Sequence, residues 1–87
     1  MADITFTECA WEDYLYWQTQ DRRTLRKINV LLKDILREPF SGEGKPEPLR
    51  NAEGDWSRRI NEKDRLVYRV VGDVILVKQC KGHYGDK

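Results

Sequence analysis

The chain has 87 residues, of which 36% are charged, and its formal net charge is only +1. That length predicts one small domain, residues 1–87, with a modest core, because a chain of this size buries only about 60% of its unfolded surface. The near balance of charges excludes any inference from overall basicity. No apolar run approaches the roughly 20 residues that span a bilayer, and the first residues lack the regions of a signal peptide. We therefore expect a cytoplasmic protein with no membrane partner.

The few cysteines and the single histidine limit the metal and redox chemistry open to the chain. Cys9 and Cys80 are too few and too far apart for a disulfide framework. With His83 as the only histidine, a structural zinc site is not expected. Cytoplasmic thiols stay reduced, so we expect free cysteines, no cofactor and a site that works without a metal.

Charge is distributed unevenly along the chain. Residues 1–21 carry five acids and no Lys or Arg, whereas residues 22–37 carry six basic residues and one acid. From residue 55 onward, eight basic residues outnumber five acids. This layout is typical of a protein that binds a polyanion on one side, but a pair of solvated amphipathic helices explains it equally well.

The first half of the chain predicts a short strand followed by two helices. Residues 4–6 alternate like a strand, and Thr7 is placed to cap a helix over about 9–20. Asp21 is placed to cap a second helix that reaches about residue 37, and the short link predicts an antiparallel hairpin. The predicted apolar faces are Ala10, Tyr14 and Trp17 in the first helix and Leu25, Ile28, Leu32, Ile35 and Leu36 in the second. Trp11 and Tyr16 are also predicted to pack within the helical layer.

The second half predicts a long loop and three strands. Pro and Gly residues interrupt every periodicity between residues 38 and 54, so this segment is predicted to be irregular, and long loops in small domains are often functional. Strands follow at about 56–60, 65–71 and 74–81, with Gly72-Asp73 as a two-residue hairpin turn. The order β-α-α-β-β-β predicts an α+β fold in which a helical hairpin packs on a mostly antiparallel twisted sheet.

Alternation along the strands assigns side chains to the two faces of the sheet. The side chains predicted to face the helices are Trp56, Arg58, Ile60, Leu66, Tyr68 and Val70. Those predicted on the other face are Ser57, Arg59, Asn61, Arg65, Val67 and Arg69. That second face is therefore predicted to be open and basic. On the helix side, the stem of Arg58 should be covered while its head reaches water.

Cleaving RNA through its own 2′-hydroxyl without a metal needs a base, cations that hold the phosphate charge, and an acid. Glu47 is a candidate base, because Pro46 and Pro48 restrict the backbone on either side of it. His83 is a candidate acid, because an imidazole titrates near neutral pH. Each also has an ordinary explanation, as an exposed loop glutamate and as a histidine in a tail.

Basic residues supply candidate phosphate contacts. Arg59 and Arg65 present planar forks that match phosphate oxygens, although a solvated strand face would carry them equally well. Lys45 and Arg50, which flank Glu47, are further candidates for binding phosphate or RNA. Tyr84 is a candidate for stacking on a base or for a hydrogen bond to a phosphate, and otherwise it closes an edge of the core.

Six segments of the chain form a specific pattern over nearly its full length. They are residues 11–18, 27–29, 39–49, 56–60, 65–68 and 83–84. In order and spacing this pattern resembles the YoeB/Txe toxins, a branch of the RelE-type mRNA interferases. The most specific motifs are Gly-x-Gly-Lys-Pro-Glu-Pro-Leu and Trp-Ser-Arg-Arg-Ile.

The resemblance implies a toxin of a type II toxin–antitoxin system, an endoribonuclease that cuts mRNA in the A site of the ribosome. Matched position by position, it implies Glu47 as the base, His83 as the acid and Arg65 as the group that stabilises the transition state. It further implies Arg59 as a second phosphate contact and Tyr84 as a neighbour of the active site. Its implied partners are a second copy of the chain and a YefM/Axe-like antitoxin, through which operator DNA is bound indirectly.

Two departures from the family pattern concern the C-terminal tail. Relatives commonly end near His-Tyr, whereas Gly85-Asp86-Lys87 follow here, and Gly82 stands where a bulkier residue is common. Both bear on how His83 is placed. Two other functions remain open from the sequence: a non-catalytic inhibitor on the same fold, like the ParE-type toxins that act on gyrase, and a nucleic-acid-binding module without chemistry.

Overall fold

The computed structural model describes residues 2–50 and 53–82. Its elements in chain order are β1 (Asp3–Phe6), α1 (Glu8–Gln20), α2 (Arg22–Arg37), β2 (Glu47–Pro48), β3 (Asp55–Arg59), β4 (Arg65–Val71) and β5 (Val74–Gln79). The strands form one sheet in the order β1-β5-β4-β3-β2, in which β1 is parallel to β5 and the other pairs are antiparallel. Two helices on a mixed five-stranded sheet confirm the predicted α+β fold. In the described part of the chain, neither helix has the length and apolar character needed to span a bilayer.

Both helices begin where the sequence predicts. The Thr7 side chain accepts a hydrogen bond from the Ala10 amide at the start of α1. The Asp21 carboxylate accepts one from the Thr24 amide at the start of α2. Asp21 also ends α1, since its own amide donates to the Trp17 carbonyl. With a single residue between them, the two helices form the predicted hairpin.

The core lies between this hairpin and one face of the sheet, and α2 contributes most of its helical side. Ile28 and Ile35 are fully buried, as predicted. The predicted apolar face of α2 is wrong in one position: Leu36 is exposed, and Leu31 is buried instead. The helix contacts the sheet along positions 28, 31, 32 and 35, which is the i, i+3, i+4, i+7 spacing of one helix face.

The aromatic residues of α1 divide between the core and the surface. Trp17 is buried, and its Nε1 donates to the Cys80 carbonyl at 2.8 Å. Trp11 and Tyr16, both predicted to pack, are 48% and 41% exposed, and their rings contact neighbouring aromatic rings. They lie on the flanks of the stripe that runs through Ala10 and Trp17, so the helix turns them away from the sheet.

The segment between residues 38 and 54 is less irregular than predicted. Glu47 and Pro48 form the short strand β2, which pairs with Ser57 and Trp56 of β3. Two residues show no periodicity, and Pro48 lacks the amide that a central strand needs, so the pattern could not indicate a strand here. At the edge of the sheet the missing amide leaves no partner unpaired.

The side chain of Arg58 is tightly constrained by the residues around it. The sequence predicts that its head extends to water, but the whole residue is buried. Its Nε donates to the Tyr68 hydroxyl at 3.2 Å, and Nη1 donates to the Asp34 carboxylate at 2.6 Å. The remaining N–H groups donate to the carbonyls of Glu38, Ser41 and Glu43. All five donors of the guanidinium are therefore used, because the segment after α2 folds over β3 and covers it.

We expect Arg58→Ala to lower the free energy of unfolding by about 3–5 kcal/mol, because it leaves a carboxylate and several carbonyls without their buried partner. Urea unfolding followed by tryptophan fluorescence measures the loss. Arg59→Ala is the matched control: its side chain is exposed, and we expect a change below about 0.5 kcal/mol. A loss below about 1 kcal/mol in Arg58→Ala would contradict this role.

Asp34 makes the same cluster sensitive to acid. Its carboxylate accepts hydrogen bonds from the Arg37 guanidinium, the Glu43 amide and Arg58. These contacts, led by Arg37, hold the pKa of Asp34 well below its ordinary value of 3.8. A carboxyl group whose pKa is lowered by folding stabilises the fold above its ordinary pKa and loses that contribution as the pH falls.

We expect the free energy of unfolding to decrease from about pH 4 downward, and Asp34→Asn to be less stable at neutral pH but to show a shallower decrease. Urea unfolding of both proteins at about pH 7, 4 and 3 provides the comparison. Parallel curves for the two proteins would mean that the ionised Asp34 contributes nothing to the acid response.

Candidate active site

A row of side chains crosses four strands on the face of the sheet that turns away from the helices. In register, the row is Glu47, Ser57, Val67 and Gln79 from β2, β3, β4 and β5. Two residues further along β3 and β4, Arg59 pairs with Arg65. Side chains two residues apart in a strand share a face, so the arginine pair lies beside Glu47 and Ser57.

The structure brings Glu47 and Arg65 together. Oε2 of Glu47 lies 3.5 Å from Nη1 of Arg65. The side chain of Glu47 is 59% exposed and that of Arg65 only 16%. An exposed ion pair of this length is weak. Glu47 is therefore accessible to a ligand, while the side chain of Arg65 is largely buried.

Arg59 lies directly opposite Arg65, and its side chain is exposed. Like charges that face each other destabilise a strand pair, and Glu47 offsets part of this repulsion. Over residues 2–50 and 53–82, no acid forms an ion pair with Arg59. Two adjacent guanidiniums with one nearby carboxylate form an electropositive site that suits a phosphate.

The backbone that leads into Glu47 is tightly constrained. Gly44 and Lys45 have φ angles of +81° and +52°, a region that costs a lysine about 1–2 kcal/mol. The Gly44 carbonyl accepts a hydrogen bond from the Arg59 amide at 2.7 Å. A Cβ atom on Gly44 would lie 2.9 Å from Cδ2 of Leu31 and 3.0 Å from the Arg59 carbonyl oxygen. Only glycine therefore permits this approach, which brings Glu47 to the edge of β3.

Lys45 and Arg50, the other predicted phosphate contacts, have exposed side chains on either side of β2. Among the residues described, neither side chain forms an ion pair or a hydrogen bond with Glu47 or Arg65. The structure thus keeps them near Glu47 along the chain without bringing them into contact with the arginine pair.

On the predicted open basic face, the cations away from the Arg59–Arg65 pair are engaged by an acid. Arg69 and Lys78 both bind the buried carboxylate of Asp55, at 2.7 and 3.0 Å. Ser57 and Val67, on the same face, are buried as well. The Ser57 hydroxyl has no hydrogen-bond partner within the described residues.

The chain returns to this site after β5. The Gly82 amide donates to Oδ1 of Asp64 at 2.7 Å, and the Gly82 carbonyl accepts from the Arg65 amide at 3.0 Å. Gly82 has a φ of +83°, and a Cβ atom added there would meet no atom within 4 Å, so its conformation, and not a lack of space, favours glycine. The predicted acid His83 and the neighbouring Tyr84 lie outside the described residues.

This arrangement suits acid–base chemistry on a phosphate ester. An exposed carboxylate can accept a proton from a hydroxyl while two guanidiniums bind the adjacent phosphate oxygens. In the described ranges, no group of three or more His, Cys, Asp or Glu side chains is placed to hold a metal ion.

Three features around the site were not predicted. Strand alternation predicts Arg58 on the core side, where a charged residue can be a buried ion pair or a covered stem with its head in water, and the pattern does not distinguish the two. Alternation also predicts the correct face for Ser57 but gives it no role. Asp64 gave no signal, because its partner Gly82 is distant in sequence.

Known structures share this fold. A YoeB dimer from Staphylococcus aureus matches with a TM-score of 0.89 and 48% identity, over 95% of this chain and 98% of that one. The toxin in a heterotetrameric YoeB–YefM complex from the same organism matches with a TM-score of 0.87 and 48% identity, over 97% and 99% of the two chains. The fold is therefore that of the YoeB-type toxins.

Sequence comparison agrees with the fold. Toxin YoeB of Escherichia coli K12 is 54% identical over 82 residues, which cover 93% of this chain and 98% of that protein. The family model for the YoeB-like toxin of bacterial type II toxin–antitoxin systems matches residues 6–84. This chain belongs to that family.

The weak ion pair implies that Glu47 contributes little to folding. We expect Glu47→Gln to change the free energy of unfolding by at most about 0.5 kcal/mol, because the pair is exposed. Asp55→Asn, which leaves two cations without their buried carboxylate, should cost more than about 1 kcal/mol. Urea unfolding compares the two variants. The opposite ranking would show that Glu47 is primarily structural.

Proposed function

We propose that this toxin is an endoribonuclease that cuts mRNA in the A site of the ribosome, without a metal, by using the 2′-hydroxyl of the RNA. The observation that carries the proposal is the 3.5 Å approach of Glu47 to Arg65, with Arg59 paired to Arg65 on the same face. Membership of the YoeB-like toxins supports it, since the resemblance to mRNA interferases implies this reaction.

In the proposed reaction, Glu47 takes the proton of the 2′-hydroxyl, and the resulting oxygen attacks the adjacent phosphorus. The bond from phosphorus to the 5′-oxygen breaks, and His83 gives a proton to the departing oxygen. The products are a 2′,3′-cyclic phosphate and a free 5′-hydroxyl. Acid and base groups of this kind each contribute about 10²–10⁴-fold to the rate.

The two arginines have different roles in this proposal. Arg65, whose side chain is largely buried, binds the phosphoryl oxygens where negative charge accumulates, an effect of about 10²–10³-fold for one preorganised donor. Arg59, which is exposed, makes a second phosphate contact. Lys45 and Arg50 bind neighbouring phosphates of the RNA, and Tyr84 contacts a base or a phosphate near the cut.

The proposal also covers partners. The relatives from Staphylococcus aureus include a YoeB dimer and a heterotetrameric YoeB–YefM complex. By analogy, this toxin forms a homodimer and is inhibited by a YefM/Axe-like antitoxin. A disordered segment of such an antitoxin would fold over the face that holds Glu47 and Arg65. Binding to operator DNA then occurs indirectly, through the antitoxin.

Primer extension on a defined mRNA, with and without programmed ribosomes, tests the proposal. We expect cuts confined to the A-site codon. Glu47→Gln should slow them by about 10²–10⁴-fold and Arg65→Ala by about 10²–10³-fold. Glu62→Gln, which makes the same charge change in the exposed turn after β3, is the control and should cut at the wild-type rate.

Two results would refute the proposal and indicate the alternatives. Growth arrest on expression without any cleavage of mRNA would favour a gyrase-type inhibitor. Growth arrest that survives Glu47→Gln undiminished would favour a nucleic-acid-binding module, since loss of a carboxylate only strengthens binding to phosphates.

A further inference from the structure

Asp64 is a buried carboxylate that the proposed reaction does not use. It is only 4% exposed and lies in the turn between β3 and β4. Across residues 2–50 and 53–82, no cation forms an ion pair with it. Its oxygens accept hydrogen bonds from two neutral donors instead, the Gly82 amide at 2.7 Å and the Asn61 side chain at 3.0 Å. A buried carboxylate is costly unless such bonds satisfy it.

The turn holds Asp64 itself rigidly. The Asp64 amide donates to Oδ1 of Asn61 at 2.7 Å, and the Asp64 carbonyl accepts from the Ile60 amide at 3.0 Å. Both its backbone groups and its side chain are therefore fixed relative to β3 and β4.

Asp64 and Arg65 together hold both backbone polar groups of Gly82. The Asp64 side chain accepts from the Gly82 amide, and the Arg65 amide donates to the Gly82 carbonyl. The hydrogen bond to the carboxylate is charge-assisted, which makes it roughly twice as strong as a neutral one. Residue 83 follows directly, and consecutive Cα atoms are about 3.8 Å apart. The clamp on Gly82 thus determines where the chain enters the segment that carries His83.

We propose that Asp64 is a positioning residue: its carboxylate holds the Gly82 amide beside Arg65 and thereby fixes the point from which the chain continues to His83. This rests on the proposed function, in which His83 is the acid. The loss of Asp64 would release the Gly82 amide, whereas the ion pair between Glu47 and Arg65 does not involve Asp64. A displacement of about 1 Å in a reacting group is enough to cost on the order of 10²-fold in rate.

Single-turnover cleavage on programmed ribosomes tests this role with a matched pair of variants. Asp64→Ala and Asp64→Asn remove the same charge, but only the asparagine keeps an oxygen that can accept from the Gly82 amide. We expect Asp64→Ala to slow cleavage by about 10–100-fold at saturating toxin, with an unchanged half-saturating concentration. Asp64→Asn should stay within about threefold of wild type. In a His83→Ala background, adding Asp64→Ala should cost no more than about twofold.

Equal cleavage rates for Asp64→Ala and the wild-type protein would overturn the positioning role. Equal losses of rate in Asp64→Ala and Asp64→Asn would also overturn it, as would an additive loss of rate when Asp64→Ala is combined with His83→Ala. The Gly82 amide of the wild-type protein must also be protected from hydrogen exchange, a measurement that does not depend on any variant folding; a freely exchanging amide refutes the clamp. No cleavage by the wild-type protein would refute the proposed function itself, and the positioning role with it.

Discussion

The buried guanidinium of Arg58 is the constraint on which the rest of the structure depends. It lies on the core side of β3 and binds the α2 carboxylate of Asp34, the Tyr68 hydroxyl of β4 and three carbonyls of the segment after α2. A cation in the core is tolerated only if every donor is satisfied, so the segment must fold over the strand. The same segment continues to Gly44 and, three residues later, reaches Glu47 at the edge of the sheet.

The two arginines of the candidate site also organise it through their backbones. The Arg59 amide binds the Gly44 carbonyl, just before the segment that carries Glu47. The Arg65 amide binds the Gly82 carbonyl, just before the segment that carries His83. Because Arg59 and Arg65 are a register pair, one strand pair supplies the two cations and an anchor for each of these segments. This explains how a small domain with a modest core can position a site that draws on residues far apart in sequence.

Local signals predicted most of this fold, and long-range contacts account for what they missed. The Thr7 and Asp21 caps, the hairpin turn at Gly72-Asp73 and strand alternation are short-range features, and the structure confirms them. The resemblance to the YoeB/Txe toxins is confirmed by the family match. The strand β2, the burial of Arg58 and the hydrogen bond of Asp64 to Gly82 each depend on partners at least eight residues away. The periodicity of apolar residues carries no information about such pairs. Strand alternation alone could not show that Asp55 neutralises part of the charge on the basic face.

The central claim is that Glu47 activates the 2′-hydroxyl of the RNA beside Arg65, and a single chemical substitution in the substrate tests it most directly. An mRNA with one 2′-deoxynucleotide at the cut position of the A-site codon lacks the nucleophile but keeps the phosphate. On programmed ribosomes we expect no cut at that bond, while the unsubstituted mRNA yields a product that ends in a 2′,3′-cyclic phosphate. Cleavage of the substituted bond at the normal rate would show that another nucleophile attacks, and would contradict the role assigned to Glu47.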